Sequence, residues 1–286
     1  METKLKSSTL ILAIHGSTED NRPALAGQRL ADTIRKHGLF REVKAAFHKH
    51  APLLHETIDQ ADGNPVVIIP MLMSSGFFAE KIFPKALQLD AVPIDRFPKV
   101  TGYKGKTVVY AHPIGLHSGM KSLVIESAKT VLEQHPFPFK TPLSKTSIAL
   151  IGHGTSQHTK SRGSADALAE ELSSDPDICQ GSRTFFIEEN PAIKEIYQWN
   201  TPTRNVVVVP FMLADGPHAI QDIPIALGQP EREIEERLEK GNATWRNPTE
   251  RNGKRIWISQ PVGLSPLLPD LIIDYVRKEI PKVLID

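Results

Sequence analysis

Four stretches of the chain are apolar without alternation: residues 10–14, 65–73, 148–151 and 205–213, rich in Val, Ile and Leu. Runs of that length without a period of two describe strands buried on both faces of a parallel sheet. Strands of this kind need helices on both sides, and the intervening pattern supplies them. One helix is predicted to open at Asn21 with Pro23 in its first turn, to turn Leu25, Leu30 and Ile34 inward, and to stop near Gly38. A second begins at Pro52 and carries Leu54 and Ile58. Residues 164–172 and 191–199 repeat this helix pair after the third apolar run. Strands alternating with helices predict an α/β fold with a parallel sheet.

The repetition extends to particular residues. Leu10-Ile-Leu-Ala-Ile14 followed by His15-Gly16-Ser17 recurs as Ile148-Ala-Leu-Ile151 followed by Gly152, His153, Gly154 and Thr155. Pro65-Val-Val-Ile-Ile-Pro-Met-Leu-Met73 with Gly76 matches Asn205-Val-Val-Val-Val-Pro-Phe-Met-Leu213 with Gly216. Gly76 lies 61 residues after His15, and Gly216 lies 63 after His153. Pro113-Ile-Gly-Leu116 and Pro261-Val-Gly-Leu264 form a third pair, each after a β-rich run, at 107–110 and 255–259. Three landmarks in the same order imply an internal duplication. The expected architecture is two similar doubly wound parallel-sheet domains, 1–141 and 142–286, with a cleft between them and the Pro-rich segment 135–142 as linker. The second half alone carries the strongly charged stretch 231–240, read as a solvated helix, with a lid as the lesser alternative.

Composition narrows the function. Of 286 residues, 40% are hydrophobic and 23% charged, as in an ordinary globular protein, and the net charge is +1, so no overall field exists to grip nucleic acid or an anionic membrane. Cys179 is the single cysteine, which excludes an internal disulfide and any multi-cysteine metal site, and fits a reducing compartment. The apolar run after Lys4 and Lys6 is too short for a signal core, and none approaches the roughly 20 residues of a membrane span. The expectation is a cytoplasmic protein, monomer or homodimer, with neither nucleic acid nor membrane as partner.

Ligands of open parallel sheets bind beyond the carboxyl ends of the strands. His15 and His153 both stand there, each followed by a glycine that lets the backbone turn. In the second half the next strand end delivers Glu188, and the one after leads through Asp215-Gly216-Pro217 to His218. Two imidazoles and a carboxylate suit an exchangeable divalent first-row metal. Aligning the copies puts Lys49 where Glu188 stands and Phe78 where His218 stands. A cation and a hydrophobe cannot complete a cation site, so a working metal site belongs to the second half, while Phe77 and Phe78 offer an apolar wall or core burial.

With these residues in hand, the sequence resembles the class II chelatases, specifically the sirohydrochlorin cobalt- or ferrochelatases. The resemblance rests on the two strand-His-Gly-Ser/Thr motifs and on Val206-Val-Val-Val-Pro-Phe-Met-Leu-Ala-Asp-Gly-Pro-His-Ala-Ile-Gln-Asp-Ile-Pro224, and it covers most of the chain in two copies. It implies that His153 and His218 hold the incoming metal, with Glu188 as the accompanying acidic residue, ligand or base. It also implies an anionic tetrapyrrole as substrate, Co2+ or Fe2+ as the metal with Ni2+ behind them, and no organic cofactor. His15, Lys49, Phe78 and Arg162 are then expected to meet the tetrapyrrole, with Lys160 and the start of the 164–172 helix as further partners for its carboxylates. The alternative is a metal or tetrapyrrole carrier that keeps the fold without turnover. Hydrolase chemistry at Gly152-His-Gly-Thr-Ser156 lacks a nucleophile elbow, and neither a dinucleotide fingerprint nor a Walker loop is present.

Overall fold

The structure, a computed structural model, describes residues 5–154 and 162–283. The chain forms two compact units, Met1–His117 with Pro266–Asp286, and Ser118–Ser265, called here the first and second unit. The first unit runs β1 (Thr9–Ile14), α1 (Arg22–Arg35), β2 (Glu42–Phe47), α2 (Leu54–Asp59) and β3 (Val66–Pro70). A π-helical turn, Phe78–Ile82, then leads into α3 (Phe83–Ala86), followed by β4 (Lys99–Tyr103) and β5 (Lys106–Tyr110). The second unit opens with α4 (Met120–Gln134), then β6 (Ser147–Gly152), α5 (Gly163–Ser173), β7 (Ser182–Phe186), a 3-10 helix Ile193–Gln198 and β8 (Asn205–Pro210). A second π-helical turn, His218–Asp222, leads into α6 (Ile223–Ala226), followed by α7 (Glu231–Glu239), β9 (Thr249–Arg251) and β10 (Lys254–Ile258). The chain returns to the first unit as α8 (Leu268–Val283).

The sheets have the same topology, β2-β1-β3-β5-β4 and β7-β6-β8-β10-β9. In each, the apolar run that carries the His-Gly motif is flanked by parallel neighbours, with Ile11 opposite Lys44 and Ile68, and Ala149 opposite Arg183 and Val208. Both faces are covered, and every residue of β1 and β6 is buried. Ile11, Ile68, Phe83, Leu87 and Tyr110 make one core; Ile151, Phe185, Val208, Ile223, Leu227 and Ile256 make the other. Each fully buried side chain of this size contributes about 1.5–3 kcal/mol. Among the described residues no helix is long and apolar enough to cross a membrane.

The structure adds two features to the expected fold, its edge strands and the membership of its compact units, and corrects two local expectations. The sheets are not wholly parallel, because β4 and β9 pair antiparallel to β5 and β10 as edge strands. Their turns centre on Lys104-Gly105 and Asn252-Gly253, all four residues at positive φ, which suits a two-residue hairpin. The stripe facing in from α1 is Ala24, Gly27, Ala31 and Ile34, while Leu25 is exposed and Leu30 only half-buried. The helix lies too close to the sheet for large residues: a Cβ on Gly27 would meet Ile14 Cδ1 at 2.3 Å. Within 191–199 the helix is Ile193–Gln198, of 3-10 type instead of α. In the compact units α4 packs on β8 and β10 in the second unit and α8 packs on α1 in the first, so the last helix of each sequence copy belongs to the other unit. An amphipathic helix pattern says that a face is buried, not which sheet buries it.

The charged stretch is α7, a solvated helix that turns Ile234 inward and pairs its own charges across one turn, Arg232 with Glu236 at 3.0 Å and Arg237 with Glu233 at 3.1 Å. The Pro-x-Gly-Leu landmark has a steric cause. A Cβ on Gly115 would lie 2.3 Å from Met73 Cα, and one on Gly263 2.3 Å from Leu213 Cα. Each glycine lets its loop cross the backbone that leaves β3 or β8, and its N–H donates to the carbonyl of Leu72 or Met212. That backbone is the one that runs on to Phe78 or His218.

Candidate metal centre

His153 follows β6 directly, and Gly154 behind it sits at φ +77, a conformation that glycine adopts without strain. The amide of Glu188, two residues beyond β7, donates to the His153 carbonyl at 3.0 Å and ties the two strand ends together. His218 is the first residue of the π-helical turn after β8, whose carbonyl accepts from the Ile223 amide. Three neighbouring strands of one sheet thus bring His153, Glu188 and His218 to one end of the second unit.

The imidazoles face each other, with Nε2 to Nε2 at 3.2 Å and ring centroids 4.5 Å apart at 88°. The opposite edge of each ring meets an acceptor. His153 Nδ1 lies 2.9 Å from the Gly154 carbonyl oxygen, and His218 Nδ1 lies 2.6 Å from Asp222 Oδ2. A carbonyl and a carboxylate only accept, so each Nδ1 carries a hydrogen, and in the neutral ring Nε2 keeps its lone pair. Two lone pairs aimed together repel unless a cation sits between them. Nitrogens bound to one metal at about 2.1 Å lie roughly 3.0 Å apart at a right angle and roughly 3.4 Å apart at the tetrahedral angle. The observed separation falls between these.

Glu188 Oε2 approaches His153 from the Nδ1 edge, at 3.7 Å, and does not share the Nε2 face. Among the described residues no group of three His, Cys, Asp or Glu side chains is arranged to hold a metal ion. The centre is therefore a pair of imidazole donors with carboxylates behind. Asp222 is the residue that the sequence reading left without a role, although it stands inside the quoted motif; its signal was its spacing, four after His218 on a helical turn. Arg162 is engaged elsewhere: Nε donates to Asp166 at 2.6 Å, an η nitrogen donates to the Asn190 carbonyl at 3.1 Å, and the guanidinium lies 4.6 Å from the centre of the Phe186 ring. Its pairing with Asp166 raises its pKa further. Thr155, Ser156 and Lys160 lie outside the described residues.

The family model described as CbiX matches residues 9–131 and again residues 147–279. The chain belongs to the CbiX family of sirohydrochlorin chelatases. A protein of Halobacterium salinarum named as a probable sirohydrochlorin cobaltochelatase is 26% identical over 275 residues, covering 93% of this chain and 89% of that one. Among solved structures, a multi-domain chelatase-like protein of Deinococcus radiodurans matches with a TM-score of 0.73 and 21% identity over 94% of this chain, which spans only 54% of that longer protein. CbiX described as the terminal enzyme of siroheme biosynthesis in denitrifying bacteria matches at a TM-score of 0.62, 19% identity, 95% of this chain and 99% of that one. The cobalt complex of the sirohydrochlorin chelatase SirB from Bacillus subtilis subspecies spizizenii matches at 0.58, 14% identity, 95% of this chain and 94% of that one.

This CbiX-family chain carries the corresponding strand ends in its first unit with different chemistry. The Lys49 amide donates to the His15 carbonyl at 2.9 Å, as Glu188 does to His153, and Phe78 opens the π-helical turn that His218 opens in the second unit. Asp222 is answered by Ile82 at the end of that turn. His15 is kept, but its ring packs edge-on to Phe78 at 4.8 Å, with His48 at 6.0 Å, a neighbour that sequence reading did not single out. Burial holds the pKa of both imidazoles below the usual histidine range, and the Lys49 charge lowers both further.

Proposed function

We propose that the chain inserts a divalent metal, Co2+ or Fe2+, into sirohydrochlorin or a closely related tetrapyrrole, with the ion presented by His153 and His218. The observation that carries this reading is the pair of Nε2 atoms 3.2 Å apart, with the His218 ring held at its Nδ1 edge by Asp222. Two neutral imidazoles bind a first-row ion without the permanence of a multi-thiolate cage, which suits an ion that must be passed on. The other coordination positions stay with water or the incoming ring nitrogens. Insertion releases two pyrrole protons as the metal–nitrogen bonds form. Glu188 stands beside His153 on the edge away from the paired nitrogens, which supports a role as proton acceptor over one as ligand. Taken by themselves, Lys49 and the exposed Phe77 and Phe78 at the strand ends of the first unit have the chemistry to suit a carboxylate and an aromatic face. The name of the Halobacterium relative supports cobalt as the ion to try first.

Incubating catalytic amounts of protein with sirohydrochlorin and each metal in turn, and following the ring's absorption, tests the proposal. Many metallated rings per chain are expected with Co2+ or Fe2+. His218→Ala should abolish turnover, and Glu188→Gln should lower it while leaving Co2+ affinity in place. Stoichiometric binding with no rate above spontaneous insertion would make the protein a carrier.

A further inference from the structure

The first unit keeps a histidine whose companions have gone. Where the second unit has His218, Asp222 and Glu188, the first has Phe78, Ile82 and Lys49, yet His15 remains at the end of β1. His15 has only His48, 6.0 Å away between ring centres, as a second imidazole, and with an ammonium group beside them this is a poor place for a hydrated divalent ion. It is a good place for the same ion after insertion, because the deprotonated macrocycle carries two negative charges that cancel those of the metal, and Lys49 then opposes nothing.

The geometry around His15 fits that task. Its Nδ1 lies 2.8 Å from the Gly16 carbonyl oxygen, so the hydrogen sits on Nδ1 and Nε2 keeps the lone pair. Burial lowers its pKa and so favours the uncharged ring. Phe78 stands edge-on against it at 4.8 Å, and Phe77 and Phe78 are 44% and 39% exposed, large aromatic surfaces at a strand end. A flat, largely apolar ring face suits such a surface, and Lys49, exposed beside it, suits a carboxylate on the ring's edge.

We propose that His15 recognises the metallated tetrapyrrole by binding its metal axially through Nε2. The lone pair fills a vacant axial position or displaces one water there; no other bond breaks and no electron changes hands. The inference rests on a tetrapyrrole being the ligand, as proposed above, but concerns the product and the first unit. It predicts that the protein discriminates a metallated ring from a metal-free one through a residue that does not take part in holding the free ion.

Cobalt(II) sirohydrochlorin and the metal-free ring, titrated anaerobically into the full-length protein, supply the test, with the EPR signal of the bound cobalt(II) ring as second readout. The wild type should show cobalt hyperfine lines split by one axial nitrogen. His15→Ala should lose the splitting and bind the cobalt ring about tenfold more weakly, equivalent to about 1.4 kcal/mol, while its affinity for the metal-free ring and for free Co2+ changes by less than about twofold. Added imidazole should restore the splitting. Persistence of the nitrogen splitting in His15→Ala, or its loss only in His153→Ala or His218→Ala, would overturn the proposal. Turnover without any nitrogen splitting in the wild type would sink axial ligation alone, whereas splitting without turnover would uphold it and sink the chelatase reading.

Discussion

Asp222 is where the geometry makes its sharpest quantitative demand. Its carboxylate accepts from His218 Nδ1 at 2.6 Å, which puts a hydrogen on Nδ1 and a negative charge behind the nitrogen proposed to hold the metal. An ion bound at Nε2 would lie roughly 6–7 Å from that carboxylate, given a metal–nitrogen bond of about 2.1 Å. Attraction between a divalent ion and one negative charge at that distance is about 1.3 kcal/mol at the dielectric constant of water, and more at lower values. The His218 and Asp222 side chains are 49% and 38% exposed, so the aqueous end of the scale applies. Asp222→Asn, which keeps an acceptor oxygen but loses the charge, should therefore weaken Co2+ binding about tenfold at low salt. Asp222→Ala removes the orienting bond as well and should approach a hundredfold loss, the upper end for groups that orient a metal-binding histidine. Calorimetric titration with Co2+ measures both, and the Asn effect should shrink as salt rises because the pair is screened over about 8 Å at physiological ionic strength. Unchanged affinity in Asp222→Ala, or equal losses in the two variants at every salt concentration, would refute this account of the pair.

Two further outcomes follow from the rest of the molecule. Gly263→Ala forces a Cβ to within 2.3 Å of Leu213 Cα, backbone that cannot swing aside, and should lower stability by about 1–3 kcal/mol in urea melts, whereas Gly241→Ala, with open space around it, should act only through its positive φ. His15, His48, His112 and His117, all in the first unit, have pKa values lowered chiefly by burial. The unfolded chain then takes up protons first as pH falls below about 6.5, so stability contributed by these groups is present above that pH and lost below it. Urea midpoints followed by circular dichroism from pH 8 to about pH 5 should be flat and then fall; a midpoint that rises on acidification would contradict the burial of these rings.

Much of this was legible in the residues because a parallel sheet writes its function at fixed places. Uninterrupted Val and Ile runs mark strands, and the segments that leave their carboxyl ends are where such sheets meet ligands, so His153, Glu188 and His218 stand out as candidates by position. The duplication supplied the control: the matched amides of Lys49 and Glu188 confirm the alignment that placed a cation and a hydrophobe in the first copy. Other features were hidden for particular reasons. Leu25 looks like part of the inward stripe of α1, but the stripe runs through Ala24, Gly27 and Ala31 to Ile34, and Gly27 brings the first turns so near Ile14 that small residues face in there. Asn252-Gly253 is a hairpin signal that marks the antiparallel edge strand β9, a feature that the strand-helix alternation alone does not show. The exchange of α4 and α8 between the units leaves no local trace, since their apolar faces do not name their partners. Asp222 was passed over because a carboxylate four residues from a histidine on a helical turn is usually an ordinary surface pair, and only the 3.2 Å contact with His153 shows what it orients.

X-ray absorption at the cobalt edge on the full-length protein loaded with one equivalent of Co2+ tests the central claim most directly. Two imidazole nitrogens at about 2.1 Å are predicted, with oxygen donors completing the shell, one imidazole lost in His218→Ala and none lost in His15→Ala. A shell of oxygens alone, or one that is the same in His218→Ala as in the wild type, would contradict the assignment of the ion to His153 and His218.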